Sequence, residues 1–151
     1  MLPRLYLDVE VACAGCTPPQ RSILARWAKA AVADMSGSLR LGLRIVDEAE
    51  GASLNARFRG RAGPTNVLSF PYEERDHGKT QFLGDIVICA PIMAAEALAA
   101  GRPEKAHWAH LWIHGILHLR GFDHHTDQDA RIMERREAQV LQSLGFTDPY
   151  R

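Results

Sequence analysis

Residues 107–124 read His107-Trp-Ala-His110-Leu-Trp-Ile-His114-Gly-Ile-Leu-His118-Leu-Arg-Gly-Phe-Asp-His124. Trp108, Leu111, Trp112, Ile113, Ile116, Leu117 and Leu119 cover nearly the whole circumference of a helix, a pattern that belongs in a protein interior. The histidines interrupt it along one line. At about 100° per residue, His107, His110, His114 and His118 fall within an arc of about 80°. The segment therefore predicts a buried helix with one polar seam, opened by Pro103 and stopped near Gly121.

Two further helices flank it. Pro91 opens a segment rich in Ala, Met and Leu that closes at Gly101. Thr126 followed by Asp129 caps another, with Ile132, Met133, Val140, Leu141 and Leu144 as its buried stripe and Gly145 at its end. The first ninety residues read differently. Leu5, Leu7, Val9 and Val11 alternate with Tyr6, Asp8 and Glu10, and Leu39, Leu41, Leu43 and Ile45 with Arg40, Gly42 and Arg44, giving two strands. Between them, Thr17 before Pro18 starts a helix that runs to about Met35, with Ile23, Trp27, Ala30 and Ala31 on one face. Asp47 and Glu50 form a capping box for a short helix from Glu48 to about Arg59, ended by Gly60. Thr65 to Phe70 and Phe82 to Cys89 read as two more strands, paired as a hairpin across a polar loop from Pro71 to Gln81. The expectation is an α+β fold: one domain over residues 1–151, with a small mixed sheet of about four strands packed with about five helices.

Composition narrows the function classes. Of 151 residues, 46% are hydrophobic and 24% charged, the balance of a soluble globular protein rather than a disordered one. Lys plus Arg equals Asp plus Glu at 18 each, so any anionic partner must be held by a local patch rather than by the net charge. Three cysteines are too few for a secreted disulfide scaffold, Asp8 and Glu10 stand where a signal peptide would be apolar, and no apolar run reaches the ~18 residues of a membrane span. A cytosolic location follows as the expectation. Cys13-Ala-Gly-Cys16 is a lone pair that lacks further ligands and reads as incidental.

The chemistry lies in the seam. His114 and His118 are one helical turn apart on the same face, and His124 follows Gly121, where the chain can turn back toward them. Three imidazoles converging from a helix and the loop after it suit a tetrahedral zinc with one open position. The spacing is also that of the metzincin proteases, which place a glutamate base directly after the first histidine. Here that position is Gly115, which cannot accept a proton.

The string HGILHLRGFDH at 114–124, Pro-Thr-Asn-Val-Leu-Ser-Phe-Pro at 64–71 and Leu83-Gly84-Asp85-Ile86 carry a close resemblance, supported by Leu54-Asn55, Met133 and Glu137. Together they resemble the YbeY family of bacterial rRNA maturation factors, described as single-strand-specific, metal-dependent endoribonucleases. The resemblance implies one zinc held by His114, His118 and His124, in a cleft beside a small mixed sheet. It places the family's invariant arginine on Arg59, in the run Arg57-Phe58-Arg59-Gly60-Arg61, and where many members carry Lys-Asp-Lys this chain has Arg61-Ala62-Gly63. It further implies work on the small ribosomal subunit: maturation of the 3′ end of 16S rRNA and ribosome quality control, with ribosomal protein S11 and the GTPase Era as partners.

Arg57, Arg59 and Arg61 form the one dense basic run of a neutral chain, suited to binding phosphate and to stabilising charge at phosphorus. His114, His118 and Arg59 are thus the catalytic candidates. His110, Asp123 and Asp85 are candidates for proton transfer or for orienting the ligating histidines, with His107 as a seam-filling group. The attacking group is either a water or the neighbouring 2′-hydroxyl. Trp108 and Trp112 read as core, and Phe70 and Tyr72 as either ordinary burial or base-stacking groups. Two other readings share the histidines: a zinc hydrolase of another substrate, and a non-catalytic assembly factor with a structural zinc.

Overall fold

The computed structural model describes residues 2–72 and 80–151. In chain order it holds β1 (Arg4–Ala12), α1 (Arg21–Ala31), β2 (Ser38–Val46), α2 (Glu48–Arg59), β3 (Val67–Pro71), β4 (Thr80–Cys89), α3 (Ala90–Ala99), α4 (Glu104–Leu119) and α5 (Asp127–Ser143). The sheet runs β1-β2-β4-β3, with β1, β2 and β4 parallel and β3 antiparallel to β4. The fold is therefore mixed α+β, a four-stranded sheet with five helices. The expected hairpin is present as β3 on β4, with Val67 opposite Ile88 and Phe70 opposite Asp85. Most of the loop expected between them, residues 73–79, lies outside the described residues; Pro71 closes β3, and Thr80 and Gln81 open β4.

Strand alternation sorts the side chains onto two unlike faces. Leu7, Leu41, Leu43, Ile86 and Ile88 share one face and join Trp27, Trp112, Ile116 and Met133 in the main core. On the other, Val46, Leu68, Val87 and Cys89 make a smaller cluster with Leu54 of α2 and with Phe70. The rest of that second face is an open groove lined by Asp8, Glu10, Arg44, Glu50 and Asp85. Ten of the sixteen residues of α4 are buried, as the apolar circumference predicts. Trp112 is fully buried, and its indole N–H donates to the Leu24 carbonyl of α1 at 2.9 Å.

Four expectations change. Helix α1 begins at Arg21 rather than Pro18, because each residue before a proline is driven to extended backbone; Gln20, with ψ 151°, is its N-cap. It ends at Ala31 rather than near Met35, and its buried face is Leu24, Trp27, Ala28 and Ala31, with Ile23 and Ala30 partly buried at the edges of that face against the same core. Ile132 is 48% exposed, since the buried stripe of α5 follows Met133, Glu137, Val140 and Leu141 at helical spacing and leaves Ile132 about 100° off it. Cys13 and Cys16, expected to be incidental, are paired as a disulfide across their turn, with Cα atoms 5.7 Å apart.

Arg120 ties the helices together. Its guanidinium donates to the Ala31 carbonyl at 2.7 Å and to the Asp34 carboxylate at 3.0 Å, satisfying an orphan acceptor at the C-terminal end of α1. Among the described residues no helix is long and apolar enough to cross a membrane.

Candidate active site

The position of α4 is set by Gly115. A Cβ there would stand 3.0–3.2 Å from three side-chain carbons of Ile86, so the glycine lets the helix lie against β4. A glutamate at this position would point into the sheet, so the metzincin base has no room here. Past the helix, Gly121 at φ 101° makes the turn that L side chains avoid, and the chain comes back with His124. The ring centroids of His114, His118 and His124 then lie 5.1–6.2 Å from one another.

A carboxylate from α5 orients this cluster. Glu137 is fully buried, with Oε1 against His114 Nδ1, and with Oε2 against Tyr150 Oη and, at 3.1 Å, His110 Nε2. Burial alone pushes this carboxyl up, but the hydrogen bonds from His110, His114 and Tyr150 hold it down at about 2. An ionised Glu137 accepts only, so His114 donates through Nδ1 and presents the lone pair of Nε2 to the cluster. Burial lowers the pKa of His118, against a backbone hydrogen bond that raises it, and proximity to His114, His124 and Arg59 lowers it further. The two lowering effects keep His118 in the neutral form that a metal requires.

The donor set fits zinc in kind: neutral imidazoles, one backed by a carboxylate. Three imidazoles sharing one ion have centroids roughly 5 Å apart, and these rings stand at 5.1–6.2 Å. As the rings stand, no three His, Cys, Asp or Glu side chains among the described residues are arranged as metal ligands. His114 and His124 are stacked at 19° instead of aimed at a common point, so shared coordination requires a ring to turn.

Arg59 joins this cluster from the far side of β3. It is the last residue of α2 and donates to the Ser69 carbonyl at 3.3 Å, while the Ser69 hydroxyl donates to the Gly115 carbonyl at 3.4 Å. Strand β3 thus holds the guanidinium beside the helix turn that carries His114 and His118. Arg57 and Arg61 are exposed, and Arg57 lies over the Phe58 ring at 5.9 Å. Phe70 is half-buried edge-on to Phe58, and Tyr72 is edge-on to Phe82.

The other sequence candidates separate. His110 bonds Glu137 and stays with the cluster. His107 bonds Glu96 at 3.0 Å, a carboxylate that also accepts from Asn66. Asp123 accepts from the His125 backbone N–H at 3.2 Å. Asp85 faces the open groove across the sheet from the histidines, over Gly42, and its pKa is raised by burial and by Asp8. The carboxylate that orients a histidine is Glu137, which the sequence reading left out of that role.

Three comparisons bear on this arrangement. The profile of a family described as "Endoribonuclease YbeY" matches residues 18–145. A Nitrosococcus oceani protein named Endoribonuclease YbeY is 44% identical over 148 residues, 97% of each chain. A Thermotoga maritima protein, TM1509, has a solution structure of the same fold, with TM-score 0.50 and 24% identity over 95% of this chain and 99% of that one. By profile and by identity over nearly its whole length, the chain belongs to the YbeY endoribonuclease family.

Proposed function

We propose that the protein is a zinc-dependent, single-strand-specific endoribonuclease that matures the 3′ end of 16S rRNA and acts in ribosome quality control in the cytoplasm. The observation that carries the reading is the meeting of His114, His118 and His124 with Arg59 across β3. His114, through Nε2, together with His118 and His124 would hold one zinc. When bound, zinc supplies a Lewis acid for a phosphate oxygen and lowers the pKa of a bound water.

The chain's own groups do the rest. Arg59 grips the scissile phosphodiester and stabilises the charge that grows on its oxygens, while Arg57 and Arg61 extend the grip to flanking phosphates. Glu137 fixes the His114 tautomer and ring plane. Position 115 offers no base, so the proton of the attacking water or 2′-hydroxyl leaves through an imidazole or solvent. The neutral net charge makes unaided binding to free RNA weak, which fits delivery by a partner on the small subunit such as ribosomal protein S11 or Era.

The test is cleavage of a single-stranded rRNA fragment by the wild type, with His118→Ala and Arg59→Ala purified in parallel. Cutting by the wild type alone is expected, with a loss of roughly 10²-fold or more for Arg59→Ala. Equal cutting by all three would overturn the enzymatic reading, and a folded, zinc-loaded wild type that does not cut would favour the assembly factor.

A further inference from the structure

Residues 146–151 lie beyond the stretch that the family profile matches, yet one of them reaches the candidate site. Phe146 anchors this segment by packing edge-on against the buried Trp27, with centroids 5.6 Å apart. Asp148 then folds an Asx turn, its carboxylate accepting from the Tyr150 backbone N–H at 2.8 Å. The turn aims the phenol inward. Its hydroxyl donates to Glu137 Oε2 and lies 3.2 Å from His110 Nε2.

We propose that Tyr150 is a positioning residue of the histidine site, acting through Glu137 on His114. The inference rests on the zinc reading above and deepens it. Glu137 is fully buried, and in the described contacts its carboxylate meets two imidazoles and one phenol, with no Lys or Arg. Such a group needs every one of these donors and is held in place by them. Oε2 is taken by Tyr150 and His110, which leaves Oε1 facing His114. Without the phenol, Oε2 keeps only His110, at 3.1 Å, and the carboxylate is freer to rotate away from His114. The His114 Nδ1–H then loses its fixed acceptor, and the proton can sit on Nε2, where it blocks metal binding.

The experiment compares wild type, Tyr150→Phe, Asp148→Ala and Glu137→Gln as full chains. The His114 tautomer is read by long-range ¹H–¹⁵N correlation in the metal-free protein, and zinc affinity by competition with a chromophoric chelator. We expect Nδ1–H at His114 in the wild type, and a measurable Nε2–H population in Tyr150→Phe. Zinc affinity should fall about tenfold in that variant, the lower end for removing an outer hydrogen-bond partner, with Glu137→Gln at least as weak. Asp148→Ala, which releases the turn and leaves the phenol intact, should move both readings the same way, and it decides the case if Tyr150→Phe fails to fold. An unchanged tautomer with affinity within twofold of wild type would overturn the proposal. If the wild type binds no zinc, the zinc reading falls by itself, and the tautomer comparison still decides the role of Tyr150.

Discussion

Gly115→Ala is the sharpest probe of how the helix that carries the histidines is seated. The added methyl would meet Ile86 Cδ1 at 3.0 Å, Cγ2 at 3.1 Å and Cγ1 at 3.2 Å, all inside ordinary van der Waals contact. Forcing a methyl into a filled core costs about 1–3 kcal/mol. Replacing a mid-helix glycine by alanine returns about 1 kcal/mol of helix propensity. The net is a loss of about 1 kcal/mol, seen as a fall of roughly 2–4 °C in Tm for a chain of this size. Urea unfolding at fixed pH would measure it. Ile86→Val removes the closest of the three atoms, so the double variant should be less destabilised than the sum of the singles, by about 0.5–1 kcal/mol. Because His114 and His118 bracket position 115, an α4 pushed off the sheet should lose RNA cleavage more steeply than stability. An alanine variant at least as stable as wild type, and additive with Ile86→Val, would refute the close approach as the reason for glycine.

Three other outcomes follow from the same geometry. Arg120 and then Arg136 hold the Asp34 carboxyl at about 2, so its folded value lies below its unfolded one. Its contribution is complete well above pH 4 and is lost as the pH falls through 2; Asp34 is half exposed, so Asp34→Asn should cost about 1 kcal/mol at neutral pH and nothing well below pH 2, checked by unfolding across that range. Asn55 is 5% exposed and donates to the Gly63 carbonyl at 2.8 Å, closing the loop behind Arg59, so Asn55→Ala should cost about 1–3 kcal/mol in urea unfolding. Chelation should abolish cleavage and leave far-ultraviolet circular dichroism unchanged, because the histidines sit on a helix already buried by its own apolar contacts; unfolding on chelation would assign the metal a structural role.

Local rules carried most of the fold. Helix α4 was legible because an apolar circumference has one physical home, and α2 and α5 because Asp47 and Thr126 accept from the backbone N–H of Glu50 and Asp129, as their spacing predicts. The failures mark where tertiary packing overrides local pattern. The extent and inner face of α1 depended on two prolines acting together and on where Trp112 meets Leu24, which no window along the chain contains.

The site divides along the same line. The histidines and Gly121 are close in sequence, so their meeting could be read as a spacing; the carboxylate behind them comes from another helix and could not. Asp123 was attractive for its nearness to His124, and Asp85 for its place in a motif. Strand alternation sends Asp85 to the opposite face from Ile86, which packs on Gly115, so no arrangement of this sheet brings both to α4. Glu137 did leave a trace. It falls four residues after Met133 and four before Leu141, on a stripe that is otherwise apolar. A carboxylate in that register must be buried, and a buried carboxylate must find donors or stay protonated. The seam of α4 held histidines with N–H groups to give. Matching an acid on one apolar stripe to the imidazoles on another would have paired α5 with α4 before any coordinates, and it is the step by which the catalytic geometry and the helix packing become one constraint.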